Sequence, residues 1–467
     1  MYTQDTIVAP ATPPGRGAVA IVRLSGPRAT AIARALWHPR GRKAAAAHDD
    51  ALPPARRLAL GEIRDPDSGA IMDRAMCVVM PAPNSLTGED VVELHCHGGP
   101  YVVRRVLGLA MAAGARMAEP GEFSRRAYLN GRIDLTEAEA IADLVDARSE
   151  SALQQAIAQL GGALAQRVSA LRRGIIAVRA HLEAEIDFAD EGLNLPSRQE
   201  IASALARVGA DAALLHDSFA RGRLMRDGAR AVIVGKPNAG KSSVLNLLLG
   251  ADRAIVTPVP GTTRDVIEES MTAGPWRLVL QDTAGVREAV DEVERIGVAR
   301  TLSHAGAADL LIAVFDGSRP FEEEDARVLA LCAGRPGVAL LNKSDLPAAL
   351  LPEDLIARGL GMALMRFSAL NADGASTLRD ELARVLAALA RGAPSDGVAI
   401  SRERHRDALS KALRAIENAR DAALAGMPPE IVAVDTAAAA EALGAITGEV
   451  GVEDVLDAVF REFCIGK

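Results

Sequence analysis

Gly235-Lys236-Pro237-Asn238-Ala239-Gly240-Lys241-Ser242 decides the fold class of this chain. The octet has the spacing GxxxxGK[ST]. It follows an apolar run at 231–234 and leads into a helical run at 243–249, so it reads as strand, glycine-rich turn and helix N-terminus. Such a turn presents successive backbone N–H groups to a phosphate at the positive end of a helix dipole. In that frame Asn238, Ala239, Gly240, Lys241, Ser242 and Ser243 surround a nucleotide's phosphates. The Lys241 ammonium neutralises the β- and γ-phosphates, and the Ser242 hydroxyl is a ligand for Mg²⁺.

Three further segments follow in the order a guanine-specific domain requires. Asp282-Thr283-Ala284-Gly285 comes after the apolar run 278–280, which sets Asp282 near the metal and the Gly285 N–H near the γ-phosphate. Asn342-Lys343-Ser344-Asp345 comes after another, at 338–341. A carboxylate there accepts from guanine N1–H and its exocyclic amine, a donor pair that adenine lacks. Ser368-Ala369-Leu370 stands where the last base-contacting loop belongs. Together these segments resemble the Ras-like GTPase superfamily, and the expected ligand is GTP.

One position departs from that pattern. Where Ras-like proteins place a glutamine that orients the attacking water, this chain has Val286, which cannot. Asn238, together with Gly261-Thr262-Thr263-Arg264-Asp265, resembles the subset of GTPases that hold K⁺ beside the phosphates, where the cation stabilises transition-state charge. The resemblance implies Asn238, Thr257, Val259 and Thr262 as K⁺ ligands, and Thr263 as the second protein ligand of Mg²⁺. It also adds Thr257, Thr263, Thr283 and Ala284 to the GTP contacts. A second reading leaves Asn238 shaping the loop and nothing more.

Outward from the nucleotide segments the pattern changes twice. Residues 5–131 read as mixed α/β, with β-rich pieces at 18–24, 75–79 and 90–94 between turn clusters. From about Leu135 long helices take over. Leu153, Ile157, Leu160, Leu164, Val168, Leu171, Ile175, Val178, Leu182 and Ile186 step by three or four, which predicts one unbroken helix with a single apolar stripe. Residues 192–197 break it, and a second helix is expected to run to about Arg223. Helical patterning returns at 402–424 and 432–447. The simplest account is a discontinuous helical domain with the α/β domain inserted into it, since P-loop modules fold as units whose ends lie close together. The expected fold is multidomain α/β plus all-α: an N-terminal α/β domain over 1–130, a helical domain over 131–227 and 392–467, and an inserted Ras-like P-loop G domain over 228–391.

A chain of 467 residues, 49% apolar and 24% charged, is an ordinary multidomain balance. No apolar run approaches the roughly 20 residues of a membrane span, and the N-terminus lacks the layout of a signal peptide, so a cytoplasmic protein is expected. A net charge of −8 argues against coating nucleic acid indiscriminately, without excluding a local basic face. Cys77, Cys96, Cys332 and Cys464 show no CxxC spacing, so neither zinc nor a disulfide framework is expected. His95-Cys96-His97 is no metal cluster either, because alternate strand residues face opposite ways.

The flanks narrow the family. Asp5-Thr6-Ile7-Val8-Ala9, Ala11-Thr12-Pro13-Pro14-Gly15-Arg16-Gly17, Pro83-Asn84-Ser85-Leu86-Thr87-Gly88-Glu89-Asp90, His97-Gly98-Gly99-Pro100, Pro120-Gly121-Glu122-Phe123-Ser124 and Phe463-Cys464-Ile465-Gly466-Lys467 together resemble the MnmE (TrmE) family of tRNA-modification GTPases over essentially the whole chain. The resemblance implies a homodimer joined through N-terminal domains and a bound one-carbon carrier, 5-formyl- or methylene-tetrahydrofolate, making the N-terminal domain a folate-binding one. It further implies an MnmG-type FAD-binding partner, in a heterotetramer. The two would install an aminomethyl or carboxymethylaminomethyl group on C5 of the wobble uridine of certain tRNAs.

By the same resemblance Arg23, Glu93, Arg132 and Lys467 contact the folate, and Glu294 is the catalytic carboxylate that orients water through a second water. The alternative for Arg23 and Glu93 is a pair of ordinary strand-end charges; for Glu294, one more surface glutamate. Cys464 is open between a nucleophile attacking uridine C6 and a buried structural thiol. Arg402, Arg404, His405, Arg406, Lys411 and Arg414 are open between a phosphate track for tRNA and a solvated helix face. Two other functions remain: a K⁺-dependent RNA-assembly switch, and a folate-dependent aminomethyl transferase with GTP hydrolysis purely regulatory.

Overall fold

The computed structural model describes residues 5–40, 52–188, 195–250, 269–280, 308–371, 373–391, 398–450, 453–461 and 463–467. The chain divides into two compact units, Met1–Ala142 with Leu443–Lys467, and Asp143–Ala442.

The first unit is built on β1 (Ile7–Pro10), β2 (Val19–Ser25), β3 (Trp37–Pro39), β4 (Ala59–Arg64), β5 (Ile71–Met80), β6 (Val91–His97) and β7 (Arg116–Met117). Among the described residues these form one sheet in the order β3-β4-β5-β6-β2-β1-β7, antiparallel except for the β1–β7 pair. Strand alternation sorts the faces. Ala20, Val22 and Leu24 of β2, Ala75, Cys77 and Val79 of β5, and Val92, Leu94 and Cys96 of β6 enter a core closed by α1 (Ala29–Leu36) and α2 (Pro100–Ala112). Arg23, Glu93 and His95 therefore share the opposite face. The β-rich pieces expected at 18–24, 75–79 and 90–94 each fall on a strand, with Ala18 and Asp90 one residue ahead of β2 and β6; β1, β3, β4 and β7 were too short or too irregular in pattern to read. Next come α3 (Glu122–Leu129) and α4 (Leu135–Asp146). The unit's last residues pack here: Leu456, Val459, Phe460 and Phe463 form a small core with Leu135 and Ala138.

The second unit opens with α5 (Glu150–Leu160), α6 (Ala163–Asp187), α7 (Arg198–Asp217) and α8 (Phe219–Asp227). The unbroken helix expected over 153–186 is corrected here. Gly161 and Gly162 end α5, Gly162 taking a left-handed φ of 76° that a side chain would resist. A three-and-four spacing survives a two-residue break unchanged, so the stripe could not reveal it. Beyond the break Leu164, Val168, Leu171, Ile175, Val178 and Leu182 are buried, whereas Leu153 and Ile157 on α5 are 41% and 54% exposed. The helix expected to reach Arg223 likewise stops at Asp217, and Arg223 belongs to α8.

After α8 the chain enters β8 (Ala229–Gly235), α9 (Lys241–Gly250), β9 (Glu269–Ala273), β10 (Trp276–Leu280), β11 (Leu310–Asp316), α10 (Glu323–Cys332), β12 (Gly337–Asn342), α11 (Pro352–Ala357), β13 (Ala363–Arg366) and α12 (Asp373–Leu389). The sheet order is β13-β12-β11-β8-β10-β9, parallel except for β9 against β10. Its central strands are apolar on both faces because helices cover both. The chain then rejoins the helices through α13 (Glu403–Leu424) and α14 (Pro429–Thr447). At the return, Ile400 N–H donates to Ser218 Oγ at 3.1 Å, and α13 packs along α7 with His216 Nε2 3.0 Å from Ser410 Oγ. A P-loop domain inserted in a helical one is thus what the strand order and this return describe.

Candidate functional site

Strand β8 ends at Gly235 and α9 begins at Lys241, so the glycine-rich turn spans the five residues between, as its spacing requires. Asn238 takes φ 58° and Gly240 φ 102°, the left-handed steps that curl the loop. The Lys241 ammonium folds over this loop and donates to the carbonyls of Gly235 and Lys236, both at 2.9 Å. Burial lowers its pKa, which leaves a poorly solvated cation aimed at the loop's centre. Ser242 and Ser243 are exposed at the start of α9.

The expected base-reading residues converge on the same loop. Asn342, buried at the end of β12, donates from Nδ2 to Ala239 O at 2.8 Å and accepts from Ala369 N–H at 3.1 Å. One amide therefore joins the phosphate loop to the Ser368-Ala369-Leu370 loop. Ser368 Oγ donates to Asp345 Oδ1 at 2.5 Å, which orients the carboxylate, and Leu370 is 85% exposed. Lys343 adopts φ 62° and donates to Asp316 Oδ2 at 2.7 Å. Burial would raise the Asp316 pKa, but Lys343 and Ser318 outweigh it and hold the carboxyl below its usual value. Asp316 escaped the sequence reading, although a carboxylate ending the apolar run 310–315 was a usable signal. Lys236 escaped it too: its ammonium is buried against Asp325 Oδ2 at 2.8 Å and Glu322 Oε2 at 3.0 Å. Thr257, Val259, Thr262, Thr263, Asp282, Thr283, Ala284, Gly285 and Glu294 lie outside the described residues.

In the first unit a second polar cluster forms. Arg23 Nε donates to Glu93 Oε1 at 2.8 Å, and Arg23 Nη1 reaches Gly466 O at 3.3 Å. His95 Nε2, unforeseen but two residues along the same strand face, is 3.2 Å from Glu93 Oε2. Phe123 N–H donates to Lys467 O at 3.2 Å, so Lys467 joins the cluster through its backbone. Arg132 is exposed, with its stem against Gly88. Cys464 is exposed, whereas burial pushes the thiols of Cys77, Cys96 and Cys332 up to about 12, 11 and 11. Exposure removes the buried structural reading of Cys464. Cys96 faces Ala20 in the core and the two histidines face away from it, as strand alternation required; among the described residues no cluster with metal-ligand spacing occurs.

Much of the basic stretch on α13 is used internally. Arg402 pairs with Asp143 at 2.7 Å, His405 is buried, and Arg406 pairs with Glu403 and lies 4.6 Å over the Phe219 ring. Lys411 and Arg414 are exposed.

Comparison with known proteins completes the picture. A family model described as the MnmE helical domain matches residues 135–464, and one described as the GTP-binding protein TrmE N-terminus matches residues 6–132. The chain belongs to the MnmE family. Two MnmE relatives, both named tRNA modification GTPases, come from Heliobacterium modesticaldum and Syntrophotalea carbinolica. The first is 44% identical over 99% of both chains, and the second 43% identical over 100% of both. A GTP-binding protein of Sulfolobus solfataricus, solved with GDP, is 21% identical, with a TM-score of 0.26 over 47% of this MnmE-family chain and 67% of its own. Among the described residues no helix of this family member is long and apolar enough to cross a membrane.

Proposed function

We infer that this chain is a GTP hydrolase acting in tRNA modification. The observation that carries the reading is the Asn342 amide, which joins the phosphate loop at Ala239 to the base loop at Ala369, so phosphate and guanine sites form one assembly. Binding moves the Lys241 ammonium from its own loop's carbonyls to phosphate oxygens, trading neutral acceptors for charged ones. Asp345, oriented by Ser368, accepts from guanine.

Ser242 suits Mg²⁺, since its exposed hydroxyl sits beside Lys241 at the helix start, and Thr263 would be the second ligand. Asn238 suits K⁺ as a neutral oxygen donor on the crest of the loop, with Thr257, Val259 and Thr262 completing the set. Glu294 would orient water where Val286 cannot. In the first unit Arg23, Glu93, Arg132 and Lys467 offer a carboxylate for a pterin's donor face and cations for a glutamate tail, the chemistry a tetrahydrofolate asks for. A homodimer and an MnmG-type FAD-binding partner complete the reading, with C5 of the tRNA wobble uridine as the site modified.

Nucleoside mass spectrometry of tRNA from cells lacking the chain tests it, with the wild type or K241A returned. C5-aminomethyl-type uridines should vanish, return with the wild type and stay absent with K241A. Unchanged nucleosides would leave a GTPase whose target is another RNA.

A further inference from the structure

The turn between β8 and α9 is held at both ends. At its far end Ala239 O is fixed by Asn342, as described above. At its near end Lys236 sends its side chain away from the nucleotide side, into a buried contact with the start of α10. Its ammonium donates to Asp325 Oδ2 at 2.8 Å and Glu322 Oε2 at 3.0 Å, and its side chain is 5% exposed. Asp325 is fully buried, and the same Oδ2 accepts from Glu322 N–H at 3.0 Å, so this anchor is itself fixed to the helix. Among the described residues the other oxygen, Oδ1, has no hydrogen-bond partner, and Lys236 is the cation seen against the buried carboxylate. Meanwhile the Lys236 carbonyl, with that of Gly235, holds the Lys241 ammonium. One residue thus ties the helix outside the site to the ammonium inside it.

We propose that Lys236 is a positioning residue for GTP binding: its buried ion pair with Asp325 and Glu322 pins the start of the phosphate loop and keeps it in the phosphate-ready curl without nucleotide. A loop free at one end loses conformational freedom when it wraps phosphates; a loop already pinned does not. The loop's backbone N–H groups meet phosphates that GTP and GDP share and do so before as well as during hydrolysis, so their loss weakens both nucleotides and appears as uniform binding. KM for GTP should carry it, and kcat should not.

This inference rests on the phosphate-cradle reading, and the test separates the two. Full-length wild type, K236M, K236R and K241A are titrated with fluorescent GTP and GDP analogues, with turnover and melting temperature measured on each. K236M should bind both nucleotides about tenfold more weakly with kcat within about twofold, and K236R, which restores the ion pair, should recover most of the loss. K236M with a lower melting temperature but wild-type affinity would show a purely structural residue and overturn the proposal. If K236M does not fold, E322Q removes one of the two partners: about a threefold loss supports the proposal, and wild-type affinity overturns it. K241A that still binds normally would sink the cradle reading itself, whereas loss in K241A with normal K236M sinks only the role of Lys236.

Discussion

Asp345 is the side chain we propose sets which nucleotide is read. Its Oδ1 takes the Ser368 hydroxyl, so the carboxylate is oriented before any base arrives. Replacing it with asparagine sets an N–H against guanine's own donors. D345N should weaken GTP binding by about two orders of magnitude, the loss of two charge-assisted hydrogen bonds, and bind xanthosine triphosphate better than GTP. Competition titrations read both changes; unchanged GTP affinity would remove Asp345 from base recognition. Asn238 carries a second prediction at this scale. With Val286 unable to orient water, hydrolysis should run about tenfold or more faster in KCl than in NaCl at equal ionic strength, and N238A should abolish the difference. Equal rates in the two salts would end the cation argument. These residues were legible as candidates because the motif fixes their spacing. Lys236 was not: the motif leaves its position free, and its partners lie 86 and 89 residues away.

Elements hold together here through buried polar joints, and Arg126 on α3 is a well-connected one among the described residues. It donates to Asp5 Oδ1 at 2.6 Å, to Glu122 Oε1 at 2.9 Å and to both Glu89 oxygens at 3.3 Å, tying α3 to the chain before β1 and the loop before β6. Burial alone would raise the pKa values of Asp5 and Glu122; Arg116 and Arg126 outweigh it and hold both below their ordinary 3.8 and 4.5. A carboxylate with a depressed folded pKa stabilises above its ordinary value, and that stability is lost as pH falls through the depressed one. The first unit should therefore lose stability progressively as pH falls below about 4, with the emission of the buried Trp37 in a W276F background as reporter. R126M removes the donor that Asp5, Glu122 and Glu89 share while Arg116 still pairs with the first two, so it should cost about 1–3 kcal/mol and move that acid transition upward. An unmoved transition would show that the joint stabilises nothing. Gly222 on α8 is a steric joint: a Cβ there would strike the Ile400 carbonyl where the chain returns from the inserted domain. G222A should cost about 1–3 kcal/mol, read by thermal melting, with protease cutting near 400 as a local signal. Periodicity predicted helices on both sides of this return, but no sequence pattern marks a backbone oxygen from a distant segment as the reason for a glycine. The α5–α6 break was hidden for the same kind of reason, since a stripe reports spacing and not continuity.

At the scale of the whole molecule, the two polar clusters lie in different compact units, Arg23 with Glu93 in one and Lys241 with Asn342 in the other. The Lys241–Asn342 cluster comes from one stretch of chain, which is why sequence spacing could pick out its residues as candidates. The Arg23 cluster joins β2, β6 and the segment 464–467, so only the family resemblance could connect residues more than 400 positions apart. This division predicts separable defects. R23A removes the donor that orients Glu93 and holds Gly466, and both of these partners lie in the first unit. GTP affinity and turnover in R23A should stay within about twofold of wild type, the range expected of a site sharing no partners with the other. C5-modified wobble uridines should fall to the level of cells lacking the chain. K241A, by contrast, should lose both. Phosphate release and nucleoside mass spectrometry on the same variants give the two readouts. If R23A modifies tRNA normally, the first unit's polar face is not where the one-carbon chemistry is held. If R23A loses GTP turnover as well, the units are coupled through more than the hydrolysis step.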